Sequence, residues 1–238
     1  MPHSVSTVTF FRFDTFFQRA WAFGQMQFAH SHLQRVDGLQ FYKLMGSGNE
    51  SGFSIFPDWG VYALLAVWEN EAAAERFFQT ASICQRYTDN SSEQWTLFLK
   101  TSQSKGLWSG NSPFHPMADL DEANRYVAVI TRATIRWRRM LSFWWYVPTS
   151  QRPIQAGCQG LIFTKGIGDV PLVQMATFSL WQSFDDLKRF AYQSKEHRLA
   201  IQKTHQLGWY SEELFARFQP YRSFGTWNGR QPLPELAI

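Results

Sequence analysis

The sequence predicts an α+β protein in which two ferredoxin-like repeats form a pseudo-symmetric α+β barrel of the dimeric type. Strand and helix patterns follow one another in the order β-α-β-β-α-β, and the same order then starts again. The strands are also nearly continuous apolar runs, such as WGVYALLAVW at 59–68, which need cover on both faces. We expect an N-terminal half (1–110), a linker (111–125) and a C-terminal half (126–238), and favour this division over two independent domains.

In the N-terminal half, β-branched and aromatic runs predict strands, and amphipathic runs predict helices. The expected strands are 5–13, 39–44, 59–68 and 93–100, and the expected helices run from Asp14 or Thr15 to about 35 and from 69 to about 88. Asp14 or Thr15 can cap the first helix, because a side-chain oxygen there accepts a backbone amide of the first turn. The loop GSGNESGF lies between the second and third strands.

The C-terminal half repeats this order. Its expected strands are 126–137, 160–165 and 172–181, and its expected helices are 138–147 and the segment from 183 onward. Ser183 is a candidate N-cap, and Asp185 and Asp186 in the first turn suit the helix dipole. We interpret 190–218 as one long helical segment that Gly208 interrupts.

Residue matches at constant spacing support an internal repeat. Trp68, Arg76 and Phe77 recur 113 residues later as Trp181, Arg189 and Phe190. Ser92, Glu93, Gly106, Trp108 and Gly110 recur 119 residues later as Ser211, Glu212, Gly225, Trp227 and Gly229. The growth in spacing places an insertion within 192–210, the region that holds His197 and His205, so we expect the C-terminal copy to carry the function.

Composition restricts the class of protein. With 45% hydrophobic and 17% aromatic residues the chain can form a substantial core, and its 22 Phe, 11 Trp and 8 Tyr suit a large apolar ligand as well as an aromatic core. No apolar run is long enough for a membrane span, and the N-terminus lacks the pattern of a secretory signal, which predicts an intracellular protein. A net charge of +4 does not favour nucleic-acid binding, and Cys84 and Cys158 are expected to be buried thiols.

Four stretches resemble the spheroidene monooxygenase family of carotenoid biosynthesis. They are GSGNESGFSIFPDWGVYALLAVW (46–68), TRATIR (131–136), FTKGIGDVPLVQMATFSLW (163–181) and HRLAIQKTHQLGWYSEELFARF (197–218). The resemblance implies an enzyme that binds haem b in its C-terminal half and uses O₂ and an external electron donor to introduce a hydroxyl or keto group into a carotenoid or similar isoprenoid. A carotenoid is insoluble in water, so an enzyme that oxidises it must meet a bilayer or another enzyme. We expect a cytoplasmic protein with a peripheral contact to the inner face of the membrane, and an electron-donor protein as a further partner.

Haem is held mainly by one axial imidazole, apolar contacts and cations that meet its propionates. With the resemblance, His197 is the expected iron ligand and catalytic residue, and Ile201 and Trp209 are expected contacts of the cofactor. The expected propionate partners are Arg132, Lys165 and Arg198. His205 lies about 80° around a helix from His197, and a solvent-facing position is favoured for it.

Two other groups have competing interpretations. Glu212 can orient an axial imidazole or relay protons, but Glu93 occupies the equivalent position in the other half, which favours a structural role. The sequence RWRR (136–139) followed by FWWY (143–146) joins basic to aromatic residues, as membrane-surface helices do, although core packing is favoured for most of these aromatic residues. For the whole chain, the alternatives are a cofactor-free oxygenase of the same fold and a non-catalytic protein that binds haem or a lipid.

Overall fold

The computed structural model describes residues 4–48, 56–145, 158–193 and 207–237. Eight antiparallel strands close into a barrel in the order β1-β3-β2-β6-β7-β5-β8-β4. Their bounds are β1 Val5–Arg12, β2 Leu39–Gly48, β3 Pro57–Trp68, β4 Glu93–Gly106, β5 Val127–Ile135, β6 Leu161–Val170, β7 Gln174–Trp181 and β8 Tyr210–Gly225. The prediction of an α+β fold with a barrel is therefore confirmed.

Helices lie on the outside of this barrel. Their bounds are α1 Phe16–Phe28, α2 His30–Leu33, α3 Glu71–Thr80, α4 Ser82–Asn90, α5 140–145 and α6 Phe184–Gln193, with 3₁₀ turns at Trp137–Arg139 and Pro234–Leu236. Thr15 caps α1 in a capping box with Gln18, as the sequence predicted. Among the described residues, no helix combines the length and apolar character needed to cross a bilayer.

The interior of the barrel is filled with apolar side chains. Alternate residues of the strands point inward and form one cluster, as the period of two in a strand requires. Within it, aromatic rings pack together, mostly tilted or edge-on, at centroid distances of 4.8–6.1 Å: Phe10, Trp95, Phe163, Phe178 and Trp227. Side chains therefore fill the barrel where these rings lie.

A second apolar cluster covers the outside of the first four strands of the barrel, β1 to β4, which we call the N-terminal sheet; β5 to β8 form the C-terminal sheet. Leu64, Ala66 and Trp68 point outward from β3 and meet side chains from α1 to α4 such as Phe77 and Tyr87. Trp68 also donates through Nε1 to Thr7 Oγ1 at 2.9 Å, which satisfies its buried indole. In this half, both faces of the sheet are closed to solvent.

Two tight turns plug opposite ends of the barrel, and each is held by a glutamate from the other half. Glu212 at the start of β8 accepts the amides of Ser109 and Gly110 at 2.8 Å. Glu93 at the start of β4 accepts the amides of Asn228 and Gly229 at 2.9 and 2.7 Å. In each turn the two central residues have positive φ, the pattern of a type I′ turn. Each GxWxG sequence therefore closes one end of the barrel and is held there by a glutamate of the other half.

The interpretation of 190–218 as a helix was wrong for its C-terminal part. Gly208 has a φ of +56°, and β8 begins at Tyr210. From there Leu214, Ala216 and Phe218 face the interior, a period of two that belongs to a strand. Residues 194–206 of this stretch lie outside the described part of the chain.

Two smaller expectations also need correction. The helix expected from 69 to about 88 is two helices, because Ala81 has an extended backbone that ends α3 and starts α4. Cys84 is buried as expected, but Cys158 is only half-buried, and neither forms a disulfide bond. Burial raises the pKa of the Cys84 thiol to about 11, so this thiol stays protonated at neutral pH.

The segment expected as a linker packs against β4 and β8. Phe114 is buried in the interior cluster, and the amide of Met117 donates to Thr101 O at 2.8 Å. Gln219 receives the amide of Asp121 at 2.8 Å and donates to Asp121 O at 2.7 Å. These bonds fix the path of the chain from β4 to β5.

Candidate functional site

The outer faces of the two sheets differ in the middle of equivalent strands. Val5 pairs with Trp68 in the first half, and Val127 pairs with Trp181 in the second, so Thr9 of β1 corresponds to Thr131 of β5. Thr9 is fully buried beneath the N-terminal helices, and its hydroxyl bonds to that of Thr96 at 2.9 Å. Thr131 is exposed. The C-terminal sheet therefore has an uncovered area where the N-terminal sheet is closed.

We call this area the open face. It consists of outward-pointing residues on the four C-terminal strands: Thr131 on β5, Thr164 on β6, Thr177 and Ser179 on β7, and Phe215 on β8. Phe215 is 38% exposed, and the three hydroxyl residues on β6 and β7 are half-buried. Four of these five side chains are small, and one aromatic ring adds an apolar surface beside them.

Packed side chains border the open face at both ends. At one end Phe143 of α5 packs in a small cluster with Ile135, Met175 and Trp209. At the other end α6 lies on the sheet, with the Phe190 ring 5.1 Å from the Trp181 ring. The open face is thus a shallow, bordered surface on the outside of the barrel.

The small side chains of the open face would let a planar ring approach the sheet. An axial imidazole is not supplied by the described part of the C-terminal half: the described histidines are His30, His32 and His115, all in the first half or the connecting segment. His30 Nδ1 lies 2.9 Å from Tyr42 Oη. Within the described residues, no group of three or more His, Cys, Asp or Glu is arranged to hold a metal.

Four of the sequence-predicted residues lie outside the described part of the chain. They are His197, Arg198, Ile201 and His205, and the segment that contains them follows α6 directly. The last described element before this segment, α6, packs on the outer face of the barrel. The ligand assignments to these residues stay predictions.

Arg132 lies on the inner face of β5. Its partners across the sheet, Ala176 and Leu214, both belong to the interior cluster, and its own side chain is 1% exposed. One Nη forms an ion pair with Glu212, and the guanidinium carbon lies 5.7 Å from the centroid of the Trp108 ring. Arg132 therefore points away from the open face, into the end of the barrel that the Trp108 turn closes.

Three buried donors near this ion pair have no partner among the described residues. They are Nε and Nη2 of Arg132 and Nε1 of Trp108. A buried donor without an acceptor costs free energy, so these groups make the Trp108 end polar inside an otherwise apolar barrel.

Neighbouring groups stabilise the ionised form of Glu212. Burial opposes its ionisation, but the amides of Gly110 and Ser109 and the charge of Arg132 outweigh it and hold the pKa of this carboxyl below its ordinary value. A carboxylate that is already paired and bonded to two amides is a poor proton relay. This arrangement agrees with the structural role that the sequence favoured for Glu212.

Lys165 also faces inward, because it pairs across the sheet with Phe178 of the interior cluster. Its Nζ donates to Asp58 Oδ2 at 2.8 Å. Both residues line a cavity of about 570 Å³ at the end of the barrel that the Trp227 turn closes, together with Arg12 and Arg19. Lys165 and Arg132 thus lie near opposite ends of the barrel interior.

Trp209 lies next to the open face. It is 2% exposed, its Nε1 donates to Ser142 Oγ at 3.1 Å, and its ring meets the Phe143 ring edge-on at 5.6 Å. Trp209 holds α5 against the barrel and forms part of the border of the open face. Its assignment as a cofactor contact stays a prediction.

The sequence did not indicate that Thr131 and Phe215 belong to the open face or that Arg217 lies beside it. Arg217 points outward from β8, its Nε donates to Ser102 Oγ at 3.1 Å, and its guanidinium carbon lies 4.3 Å from the centroid of the Phe184 ring. Thr9 and Thr131 occupy equivalent positions in the two sheets, so the residue type could not show which sheet has an exposed outer face. The one available signal was the prediction that the C-terminal copy carries the function.

Comparison with known proteins places the chain in a family. No protein-family model matches it. A spheroidene monooxygenase from Cereibacter sphaeroides is 34% identical over 230 residues, which are 96% of this chain and 70% of that protein. A spheroidene monooxygenase from Rhodobacter capsulatus is 33% identical over 235 residues, covering 98% of this chain and 97% of that protein.

Solved structures support the fold alone. A crystal structure of an aldoxime dehydratase in complex with butyraldoxime matches 91% of this chain and 79% of its own with a TM-score of 0.61 and 11% identity. A second aldoxime dehydratase matches 91% of this chain and 81% of its own with a TM-score of 0.60 and 13% identity. On the identity and coverage of the two sequence relatives, the chain is an oxygenase and belongs to the spheroidene monooxygenase family.

Proposed function

We propose that this protein is a haem-dependent monooxygenase that introduces oxygen into a carotenoid or a similar hydrophobic isoprenoid. The observation that carries this proposal is the match to proteins named spheroidene monooxygenase over 96% and 98% of the chain. In a hydroxylation of this type, one atom of O₂ enters a C–H bond and the other leaves as water, with two electrons and two protons from an external donor. A keto product requires further oxidation of the same carbon.

The open face is the proposed position of the haem. Haem supplies, when bound, the iron that activates O₂. Thr131, Thr177 and Ser179 would lie beneath the ring, and their small side chains would allow close approach. Phe215 would give apolar contact at the edge. This position is supported by the contrast between exposed Thr131 and buried Thr9, since a closed sheet face offers no room for a planar group.

His197 is the proposed axial ligand, with Ile201 as an apolar neighbour one helical turn away. It belongs to the segment after α6, and α6 packs on the same side of the sheet as the open face. A neutral imidazole is a suitable haem ligand because it donates a lone pair without adding charge to a desolvated site.

Some of the candidate partners of the propionates face the inside of the barrel, and others do not. Arg198 accompanies His197 in sequence, and Arg217 extends from the outer face beside α6. Arg132 and Lys165 are already paired with Glu212 and Asp58 and face inward. We therefore favour Arg198 and Arg217 as the cations that meet the propionates, and Trp209 as an apolar contact near the border.

We also propose that the two halves are ferredoxin-like repeats. Around the barrel the first four strands are neighbours in the order β4-β1-β3-β2, and the last four in the order β8-β5-β7-β6. These orders correspond strand for strand. The exchange of glutamates between the two tryptophan turns further supports a common origin of the halves.

The test is the visible absorption spectrum of the purified full chain, with haem supplied during expression, for the wild type, His197→Ala and His205→Ala. We expect a Soret band in the wild type and in His205→Ala, and its loss or shift in His197→Ala. A wild type without a Soret band contradicts haem dependence and favours a cofactor-free oxygenase. An unchanged band in His197→Ala moves the axial ligand to another residue.

A second measurement tests the substrate class. The haem-loaded protein is incubated with a carotenoid, a chemical or protein reductant and isotopically labelled O₂, and the product is analysed by mass spectrometry. We expect the label in a hydroxyl or keto product. A Soret band without labelled product would support the alternative of a non-catalytic protein that binds haem or a lipid.

A further inference from the structure

The segment 137–145 exposes an apolar stripe. Trp137, Leu141 and Trp145 are 74%, 87% and 81% exposed. They are spaced four residues apart along a 3₁₀ turn that continues as α5, which places them on one side of the helical segment. Three large apolar side chains with this exposure on one short segment are unusual for a surface that faces only water.

The opposite side of the same segment is fixed to the barrel. Phe143 is 1% exposed and packs edge-on against the Trp209 ring. Trp144 Nε1 donates to Leu172 O at 3.2 Å. Since the inner side is held by these contacts, the stripe faces outward because of the fold and not because of a loose chain end.

Cations accompany the stripe. Arg136, Arg138 and Arg139 are exposed, and the guanidinium carbon of Arg138 lies 5.1 Å from the centroid of the Trp137 ring. In the sequence, no Asp or Glu occurs between Glu122 and Asp169. The exposed apolar stripe therefore lies beside three exposed arginines, in a stretch of sequence whose charged residues are all cations.

A second exposed aromatic surface serves as a contrast. Phe16, Phe17 and Phe28 of α1 are 79%, 83% and 67% exposed. The cation nearest in sequence, Arg19, donates through Nε to Phe13 O. Asp14 precedes this helix, so the α1 surface has aromatic side chains without the excess of positive charge.

We propose that the 137–145 stripe docks on an anionic lipid bilayer. Tryptophan prefers the boundary between headgroups and acyl chains, and arginine beside it binds lipid phosphates. A bilayer explains both components of the surface, whereas a neutral apolar partner would explain only the stripe. The inference extends the proposed function, because a carotenoid is dissolved in the membrane and its oxygenase must meet that surface.

The test is co-sedimentation of the full chain with vesicles of phosphatidylcholine alone and of phosphatidylcholine with phosphatidylglycerol. We expect binding to the anionic vesicles that weakens as salt is added. A variant with Trp137→Ser, Leu141→Ser and Trp145→Ser should bind at least about tenfold more weakly, because it loses the apolar contribution of three side chains. Its folding is checked by circular dichroism, and these exposed positions should leave the spectrum unchanged.

Two further variants make the result specific. Arg138→Gln with Arg139→Gln should weaken binding to anionic vesicles and leave the weak binding to phosphatidylcholine unchanged. Phe16→Ser with Phe17→Ser, the matched control on α1, should bind as the wild type does. Equal binding of the wild type and the stripe variant, or loss of binding in the α1 control alone, would overturn the proposal.

These outcomes are separable from those of the proposed function. Vesicle binding is measured without carotenoid or reductant. If the stripe variant keeps its Soret band and oxidises a detergent-dissolved carotenoid but binds vesicles as the wild type does, the docking surface is wrong and the enzyme assignment stands. If vesicle binding follows the expectation and the wild type shows no Soret band, the docking surface stands and the proposed haem dependence is wrong.

Discussion

Arg132 and Glu212 form an ion pair between β5 and β8 at the end of the barrel closed by the Trp108 turn. Arg132 is buried, and Glu212 is the residue that bonds its guanidinium. Arg12 and Glu93 form an ion pair at the other end, where Arg12 is 28% exposed and also donates to Asn228 Oδ1 at 2.7 Å. At each end, a glutamate that holds a tryptophan turn thus also pairs with an arginine, and the two arginines differ in burial.

The first prediction concerns this difference in burial. Glu212→Gln should lower the free energy of unfolding by about 3 kcal/mol, because it leaves a buried cation without a counter-charge. Glu93→Gln should cost about 1 kcal/mol, since water can reach Arg12. Chemical denaturation at pH 7 measures both. Combining Glu212→Gln with Arg132→Met should recover most of the loss, and equal losses in the two single variants would contradict this account.

The second prediction concerns the loss of stability at low pH. Burial opposes ionisation of Glu93 and Glu212, but backbone amides and an arginine outweigh it, and the pKa of each carboxyl lies below its ordinary value. A lowered folded-state pKa adds stability above the unfolded value of about 4.3, and this stability is lost as pH falls through the folded value. The difference in unfolding free energy between the wild type and Glu212→Gln should therefore shrink below about pH 4. A constant difference between pH 7 and pH 3 would contradict it.

The third prediction concerns a pair of matched glycines. Gly106 and Gly225 have φ of +97° and +83°, and a Cβ on either would overlap a backbone carbonyl oxygen, that of Glu213 or Gln94. Gly106→Ala and Gly225→Ala should each cost at least about 3 kcal/mol, because backbone strain and a clash add together. Gly110→Ala is the control: its φ is +77°, but a Cβ there meets nothing within 4 Å.

For that control we expect a cost of about 1 kcal/mol from the left-handed backbone alone. Thermal unfolding followed by circular dichroism ranks the three variants. If Gly110→Ala is as destabilised as Gly106→Ala, strain and not the clash is the main cause.

The fourth prediction separates the two threonines of the repeat. Thr9→Val should lower the free energy of unfolding by about 1–3 kcal/mol, because it leaves the buried Thr96 hydroxyl without its partner. Thr131→Val should change stability by less than about 0.5 kcal/mol, since Thr131 is exposed. Thr131→Phe should also remain folded but reduce the Soret absorbance, because a ring there would occupy the open face. Normal haem content in Thr131→Phe would place the cofactor elsewhere.

Much of the fold followed from local sequence patterns. Strands such as 59–68 and 172–181 are apolar and β-branched enough to be recognised alone, and Thr15 caps α1 as its residue type predicts. The spacing of matched residues located the tryptophan turns and the equivalence of Glu93 and Glu212. That equivalence already predicted strand at 212, since Glu93 opens a strand, yet the helical composition of the preceding residues led to the wrong assignment of β8.

The sequence by itself predicted the barrel, the two matched tryptophan turns and the family, because periodicity and residue matches are recorded along the chain. Tertiary structure decided which faces are open and which charges are paired. Thr9 and Thr131 are the same residue type at equivalent positions, and only the helices packed over β1 distinguish them. Only the structure shows that Arg132, predicted as a cofactor cation, faces inward and pairs with Glu212. Which face of a sheet a strand residue occupies depends on the register of the strand, and register is set by neighbours that are distant in sequence.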